Sequence, residues 1–335
     1  MNTKTLRHWL AAGAVIATTL ASVPAHAGPF SDLFIFGDSL SDTGNTNLLT
    51  GGAVPTPGTG PYFGGRFSNG PLWVETLAAG LGLASAADSF QTGGNNYAFA
   101  GARTGLDVTP PGLVVQGAFL WGSTHPVADA NALYVVVAGG NDMRDARDAF
   151  ATNSQADQDG RQAAAVSAFN NIAFTLSYLA IAGAKNVLIA DLPDLGATPE
   201  AIRLGLQGAS TDASQRFNAL IPFLLSFSTQ NLGLNVSFLD LAALSQAVIA
   251  DAVGNNGLTY GITNVTSACA GFTFSAGDAC ASSLFSDELH PSARAHALIG
   301  EAALLSVGVV PEPSTVVLFA LGLAGIVGWN RRRQA

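Results

Sequence analysis

Leu33-Phe34-Ile35-Phe36-Gly37-Asp38-Ser39-Leu40-Ser41-Asp42-Thr43-Gly44-Asn45 opens with four large apolar residues in a row and closes in small and turn-forming ones. A short unbroken apolar run bounded by turn residues is the pattern of a strand buried on both faces, as in a parallel sheet. The strand Leu33 to Phe36 is expected to end at Gly37, whose conformational freedom lets the chain reverse. Ser39 then sits in a tight turn with its hydroxyl exposed, the placement a serine needs to act as a nucleophile once a base reaches it.

Outward from that stretch, four further runs read as strands: Tyr97 to Phe99, Leu133 to Ala138, Asn186 to Ala190 and Val236 to Leu239. Between them, Pro71 to Leu83 carries Trp73, Leu77 and Leu81 at four-residue spacing, and Ala163 to Ala182 and Ala213 to Thr229 are long enough to cross back over a sheet. Ser292 to Leu305 closes the series. Strand alternating with helix predicts an α/β fold with three layers, α/β/α, around a mostly parallel five-stranded sheet. Thr50 to Gly65 and Asn255 to Gly277 read as long loops, a length that usually signals function or mobility.

The chain has five histidines. His8 and His26 fall in the leader described below, and His125 and His296 are read as surface or packing residues. His290 stands in Ser286-Asp287-Glu288-Leu289-His290-Pro291, where Asp287 can fold over and accept the Nδ1 hydrogen of the imidazole. Pro291 disfavours helix at the residue before it and suits the start of the helix after it, so His290 is expected on a rigid corner. Asp38 and Asp42 are expected to bond local amides around the Ser39 turn, and Asp142 and Glu75 receive no role.

The two ends differ from the middle. Lys4 and Arg7 precede an apolar stretch from Trp9 to about Leu20, and Ala25-His26-Ala27 follows as a small-x-small cleavage pattern for signal peptidase. Residues 1–27 therefore read as a secretory leader, with the mature chain starting near Gly28; a permanent anchor fits a stretch this short poorly. At the other end Val310-Pro311-Glu312-Pro313-Ser314 precedes an apolar run, Val316 to Trp329, and then Arg331, Arg332 and Arg333. Fourteen helical residues reach only about 21 Å, short of a hydrocarbon core of about 30 Å. The segment reads as a sorting device with transient membrane association, the alternative being a tail anchor held by its basic end.

Composition is globular, 48% hydrophobic and 11% charged. Without its two ends the chain is about 280 residues (28–308), enough for one well-buried catalytic domain. The formal net charge of −9 falls near −13 once Lys4, Arg7, the three terminal arginines and Glu312 are set aside. A surface that acidic repels phosphate backbones and argues against nucleic acid as a partner. The two cysteines, Cys269 and Cys280, are expected to form one disulfide in an exported protein, worth about 3 kcal/mol. Metal binding would need further ligands nearby, and none stand at the usual spacing.

An acyl carbon attacked by Ser39 would put negative charge on its carbonyl oxygen, and donors must already point there. Asn141 in Gly139-Gly140-Asn141-Asp142 follows a strand, where α/β sheets place ligands. Asn96-Tyr97-Ala98-Phe99-Ala100-Gly101-Ala102 ends another strand in a glycine whose amide can approach a bound oxygen. Each residue also has a plainer use: Ser39 as a helix cap, Asn141 with Asp142 as a turn pair, Asp287 as a turn cap, His290 as a packed ring.

Together, Gly37-Asp38-Ser39-Leu40, Ala100-Gly101-Ala102, Gly139-Gly140-Asn141-Asp142 and Asp287-Glu288-Leu289-His290-Pro291 resemble, in order, the four motifs of the GDSL or SGNH hydrolases. Gly65-Arg66-Phe67-Ser68-Asn69-Gly70-Pro71 and Leu192-Pro193-Asp194-Leu195-Gly196 are similar to segments of the lipase and phospholipase-like branch. For the glycine position, Gly93-Gly94 offers a second alignment. The resemblance runs from about Ser31 to Gly300. It implies a flavodoxin-like sheet and ester hydrolysis through an acyl-serine, with Ser39, Asp287 and His290 catalytic. The Ser39 and Gly101 amides and Asn141 would form the oxyanion hole, with no metal and no cofactor. The tail resembles a PEP-CTERM sorting signal of Gram-negative bacteria, which implies export and cutting by an exosortase. Expected partners are an ester (a lipid, an acylated sugar or a small ester), exosortase and signal peptidase. Two alternatives stand beside hydrolysis: a binding protein for exopolysaccharide or surface matrix on a hydrolase scaffold, and an acyltransferase using the same acyl-enzyme.

Overall fold

The computed structural model describes residues 29–55, 62–269 and 280–309; the leader and nearly all of the sorting segment lie outside these residues. Four strands form one parallel sheet in the order β1 (Leu33–Gly37), β2 (Leu133–Val137), β3 (Asn186–Ala190) and β4 (Asn235–Leu239). The apolar runs of β1, β2 and β3 are unbroken because both faces are covered, whereas β4, at the edge, contains Asn235 and Ser237 and is buried fully only at Leu239. Phe34, Phe36, Tyr134, Val136, Val187 and Ile189 point into one core, and Leu33, Ile35, Leu133, Val135, Val137 and Leu188 into the other, the two-residue alternation of a strand.

The first core is closed by the long helix α4 (Gln155–Ala182) and by α6 (Gln207–Asn218) and α7 (Ile221–Gln230). The second is closed by α2 (Trp73–Gly80) and α9 (Ala293–Ser306), giving three layers. Among the described residues α4 alone is long and apolar enough to span a membrane, but Ala165, Ala168, Ile172, Leu176 and Leu179 bury one side of it in the first core. The single helix expected over Ala213 to Thr229 is two: Pro222, near the start of α7, has no amide hydrogen to continue α6. Helices without a forecast include the short α1 (Asn45–Leu49), α3 (Gly140–Ala149), a brief α5 (Pro199–Leu204) before α6, and α8 (Leu241–Asn255).

The sheet departs from the expected five strands at one place. Tyr97 to Phe99 is extended beside β1, with the amides of Tyr97 and Phe99 donating to the carbonyls of Ile35 and Gly37, but it is not a regular strand. The buried side chain of Asn96 takes the amide of Ala98 on its own oxygen and donates to the carbonyl of Ser41, while Asn45 donates to the carbonyls of Asn96 and Ala98. Those groups lie on the edge away from β1; toward β1 the ladder stops because the amide of Gly37 donates to the side chain of Gln116 rather than to this segment. Counting this segment, the spatial order is 2-1-3-4-5, the flavodoxin-like order, whose switch point lies between β1 and β2. The expected loop after Asn255 holds β5 (Asn264–Ala268), which pairs in parallel with β6 (Ser283–Phe285) as a separate two-stranded sheet. The Cys269–Cys280 disulfide joins the end of β5 to the approach to β6.

Candidate active site

Ser39 leaves the carboxyl end of β1 in a turn closed by the amides of Ser41 and Asp42 on the carbonyl of Asp38. Gly37 is needed there for closeness rather than for a reversal: a Cβ would stand 2.4 Å from the carbonyl oxygen of Val137 on β2. Gln116, fully buried, clasps Gly37 from the other side, accepting from its amide at 2.9 Å and donating to its carbonyl at 2.8 Å. Asp42 accepts from the amides of Gly44, Asn45 and Thr46 through its two oxygens and from Ala100 across the turn. Asp38 accepts from the amide of Leu40, as expected of a local bond, and burial pushes its carboxyl up to about 6.

The Asp287 to Pro291 corner follows β6. The amide of Ser286 donates to the carbonyl of His290 at 2.8 Å and the amide of Ser292 to that of Leu284 at 2.9 Å, closing a tight loop. Asp287 Oδ1 accepts from the amides of Leu289 and His290, and Oδ2 pairs with His290 Nδ1 at 2.7 Å. Burial alone would push the Asp287 carboxyl up, but the neighbouring imidazole and these amides outweigh it and hold the carboxyl below its usual range. On its other side His290 Nε2 lies 2.9 Å from Ser39 Oγ. A continuous hydrogen-bonded chain therefore runs from a carboxylate through an imidazole to a hydroxyl from the far end of the sequence.

Asn141 lies in the first turn of α3, just past β2, so it and Ser39 flank the switch point. Gly139 before it has φ +117°, and a Cβ there would meet the ring of Phe217 at 2.7 Å. Asn141 Nδ2 donates to the carbonyl of Ala102, next to Gly101, which is exposed with φ +76°. Asn141, Ser39 and His290 share one cavity; Gly101 does not line it. Gly94 is tied to Ser89 instead, in the turn after Thr92.

His125 stacks on Trp121, and His296 is fully buried in α9, with Nδ1 accepting from the amide of Trp73 and burial driving the imidazole down to about 3. Both are packing residues. Glu75 pairs with Arg66 and accepts from the amide of Leu72, and Asp142 accepts from Thr104. Two residues with no forecast role touch the corner: Tyr62 Oη donates to Asp287 Oδ2 at 3.3 Å, and the ring of Phe67 lies 5.1 Å from that of His290. Ser68 and Asn69 continue this contact, donating to the carbonyl of Pro291 and accepting from the amide of Ala293. The segment similar to the lipase branch marked the place, but no spacing rule leads from it to His290. Among the described residues no group of His, Cys, Asp and Glu is arranged to hold a metal ion.

A family model for GDSL-like lipase/acylhydrolase matches residues 33–303, and one for the PEP-CTERM protein-sorting motif matches residues 309–333. A phosphatidylcholine-sterol acyltransferase of Aeromonas hydrophila is 31% identical over 57% of this chain and 53% of its own length. A GDSL esterase/lipase of Arabidopsis thaliana is 27% identical over 80% of this chain and 85% of its own, and Esterase EstA of Pseudomonas aeruginosa 29% identical over 87% and 49%. The chain thus spans about half the length of two of these three relatives. A crystal structure of a lipolytic G-D-S-L family member from Veillonella parvula, 15% identical, aligns over 82% of this chain and 97% of that one with a TM-score of 0.40. With the family match running from the first strand of the sheet into its last helix, the chain belongs to the GDSL-like lipase/acylhydrolase family.

Proposed function

We propose that this protein is an exported serine esterase that cleaves carboxylic esters through an acyl-serine. The observation that carries the reading is the Asp287–His290–Ser39 chain of hydrogen bonds at 2.7 and 2.9 Å. His290 Nε2 takes the proton of Ser39 as Oγ bonds to the acyl carbon, then gives it to the departing alcohol as the ester C–O bond breaks. Water repeats the sequence with the same base and releases the acid. Asp287 holds the imidazole in the tautomer that leaves Nε2 free to accept. The Ser39 amide and the Asn141 side chain are the donors to the oxyanion, and the Gly101 amide expected as a third lies outside the cavity lining.

The leader over residues 1–27 and the sorting motif support export, with signal peptidase and an exosortase acting on the two ends of a catalytic domain at 28–308. The acyltransferase among the relatives favours one second reading, in which an added alcohol rather than water intercepts the acyl-serine. Product analysis with that alcohol present separates the two.

The test is hydrolysis of a chromogenic short-chain ester by the purified protein and by Ser39→Ala and His290→Ala. Each substitution is expected to lower kcat by a factor on the order of 10⁴ or more while the melting curve stays in place. Turnover that survives both substitutions overturns the proposal.

A further inference from the structure

The catalytic chain opens onto a cavity whose remaining walls are almost wholly apolar. Leu241, Leu244, Ser245, Val248 and Ile249 line it from α8. Their i, i+3, i+4, i+7, i+8 spacing is one face of a helix, and eight rises carry that face about 12 Å along the axis. Ala295, Leu298 and Ile299 on α9 line it as well, with Leu284 and Phe285 of β6 and Leu192 and Leu195 after β3. Many of these side chains belong to a third apolar cluster, separate from the two that cover the sheet.

The α8 wall is tied down at both ends. Asp191 accepts from the amides of Leu241 and Ala242, Asp240 caps the amide of Ala243, and Asp251 holds the amides of Thr259 and Tyr260 beyond the helix. Polar groups farther along the walls are already engaged: the Ser245 hydroxyl bonds the carbonyl of Ala242, Arg144 is paired with Glu200, Asp194 accepts from Gly196 and Thr211, and the Thr198 hydroxyl bonds the carbonyl of Leu195. The catalytic end thus gathers a nucleophile, a base, an amide and the carboxyl of Asp38, and the seam beyond it is apolar.

Resting on the esterase reading of Ser39, we propose that this cavity takes the acyl half of the substrate as a straight fatty chain along the α8–α9 seam. The preferred substrates are then medium- or long-chain fatty acyl esters, and an acetyl ester, such as an acetylated sugar, is a poor one. An acetyl group leaves the seam unfilled, whereas each methylene laid in it adds a transfer free energy equivalent to about fourfold in kcat/KM.

The experiment compares p-nitrophenyl acetate, butanoate, octanoate and dodecanoate on the full chain, on Leu244→Trp, whose indole would enter the seam, and on Ser39→Ala. The wild type is expected to favour octanoate over acetate by at least a hundredfold in kcat/KM, and Leu244→Trp to cut that ratio tenfold or more. Sodium decanoate, kept below its micelle concentration, is expected to raise the Tm of the wild type and of Ser39→Ala, but not that of Leu244→Trp. A profile highest at acetate, or a ratio untouched by Leu244→Trp, overturns the acyl seam while leaving the serine esterase standing. If no ester is cleaved, the reading of Ser39 fails, and the decanoate shift still decides the cavity, its absence in the wild type ending this proposal.

Discussion

Ser39 and His290 meet at one point, but the regions that bring them there are built differently. The serine turn is cut into the main sheet: Gln116 holds Gly37 from a fully buried position, and Asp42, Asn45 and Asn96 fill the space around it with side chains that are 0% exposed. The histidine corner hangs from a two-stranded sheet whose register is irregular, and its Asp287 and His290 side chains keep 18% and 12% of their surface. It is held by discrete ties: the disulfide, the Tyr62 to Asn69 segment, and Glu288, which pairs with Arg203 on α5. Loss of the first region should unfold the molecule, whereas loss of the second should open the site alone.

The strongest way to break this comparison is Asp42→Ala. That carboxylate serves the amides of Gly44, Asn45, Thr46 and Ala100, and its removal strands several buried donors at a cost of about 3 to 5 kcal/mol. Thermal unfolding should drop by roughly 10 °C, with activity and far-UV ellipticity falling together. A Tm within two degrees of wild type would mean that the serine turn is no firmer than the corner.

The next is the double substitution Cys269→Ser, Cys280→Ser, which removes about 2 to 3 kcal/mol of constraint from the corner. Here the two signals should part: esterase activity is expected to fade on heating well before the ellipticity of the sheet and helices. If they still coincide, the corner melts with the core and the distinction between the two regions fails.

The same contrast explains what could be read from the chain alone. β1, β2 and β3 were legible because strands covered on both faces are unbroken apolar runs, and Ser39 was legible as the residue just past one of them. The segment at Asn96 was misread because its backbone is answered by the side chains of Asn45, Asp42 and Thr46 while Gln116 takes the amide of Gly37 beside it, contacts that no local pattern reports. α3 carries Asp142, Arg144, Asp145, Arg147 and Asp148, so its buried face of Met143, Ala146 and Arg147 is a thin apolar stripe completed by an arginine that is buried on Glu200. His290 was legible through the three-residue step to Asp287, a contact within one turn. Tyr62 was not, because it reaches Asp287 across 225 positions.

Tyr62→Phe sharpens the comparison most finely, since it removes one oxygen from the corner. The tyrosine hydroxyl is pushed up to about 12 by burial and by the charge of Asp287, so it keeps its proton and remains a donor through neutral pH. It donates to the same Oδ2 that pairs with His290 Nδ1. Without it the carboxylate has one donor fewer and orients the imidazole less firmly. kcat/KM at neutral pH should therefore fall by about two- to fivefold, mainly through kcat, consistent with a net hydrogen bond near 1 kcal/mol or less. The phenylalanine keeps the packing on Phe67, whose ring lies 5.6 Å away, so Tm should not move. A change in Tm with kcat untouched would make Tyr62 a packing residue rather than one that positions Asp287.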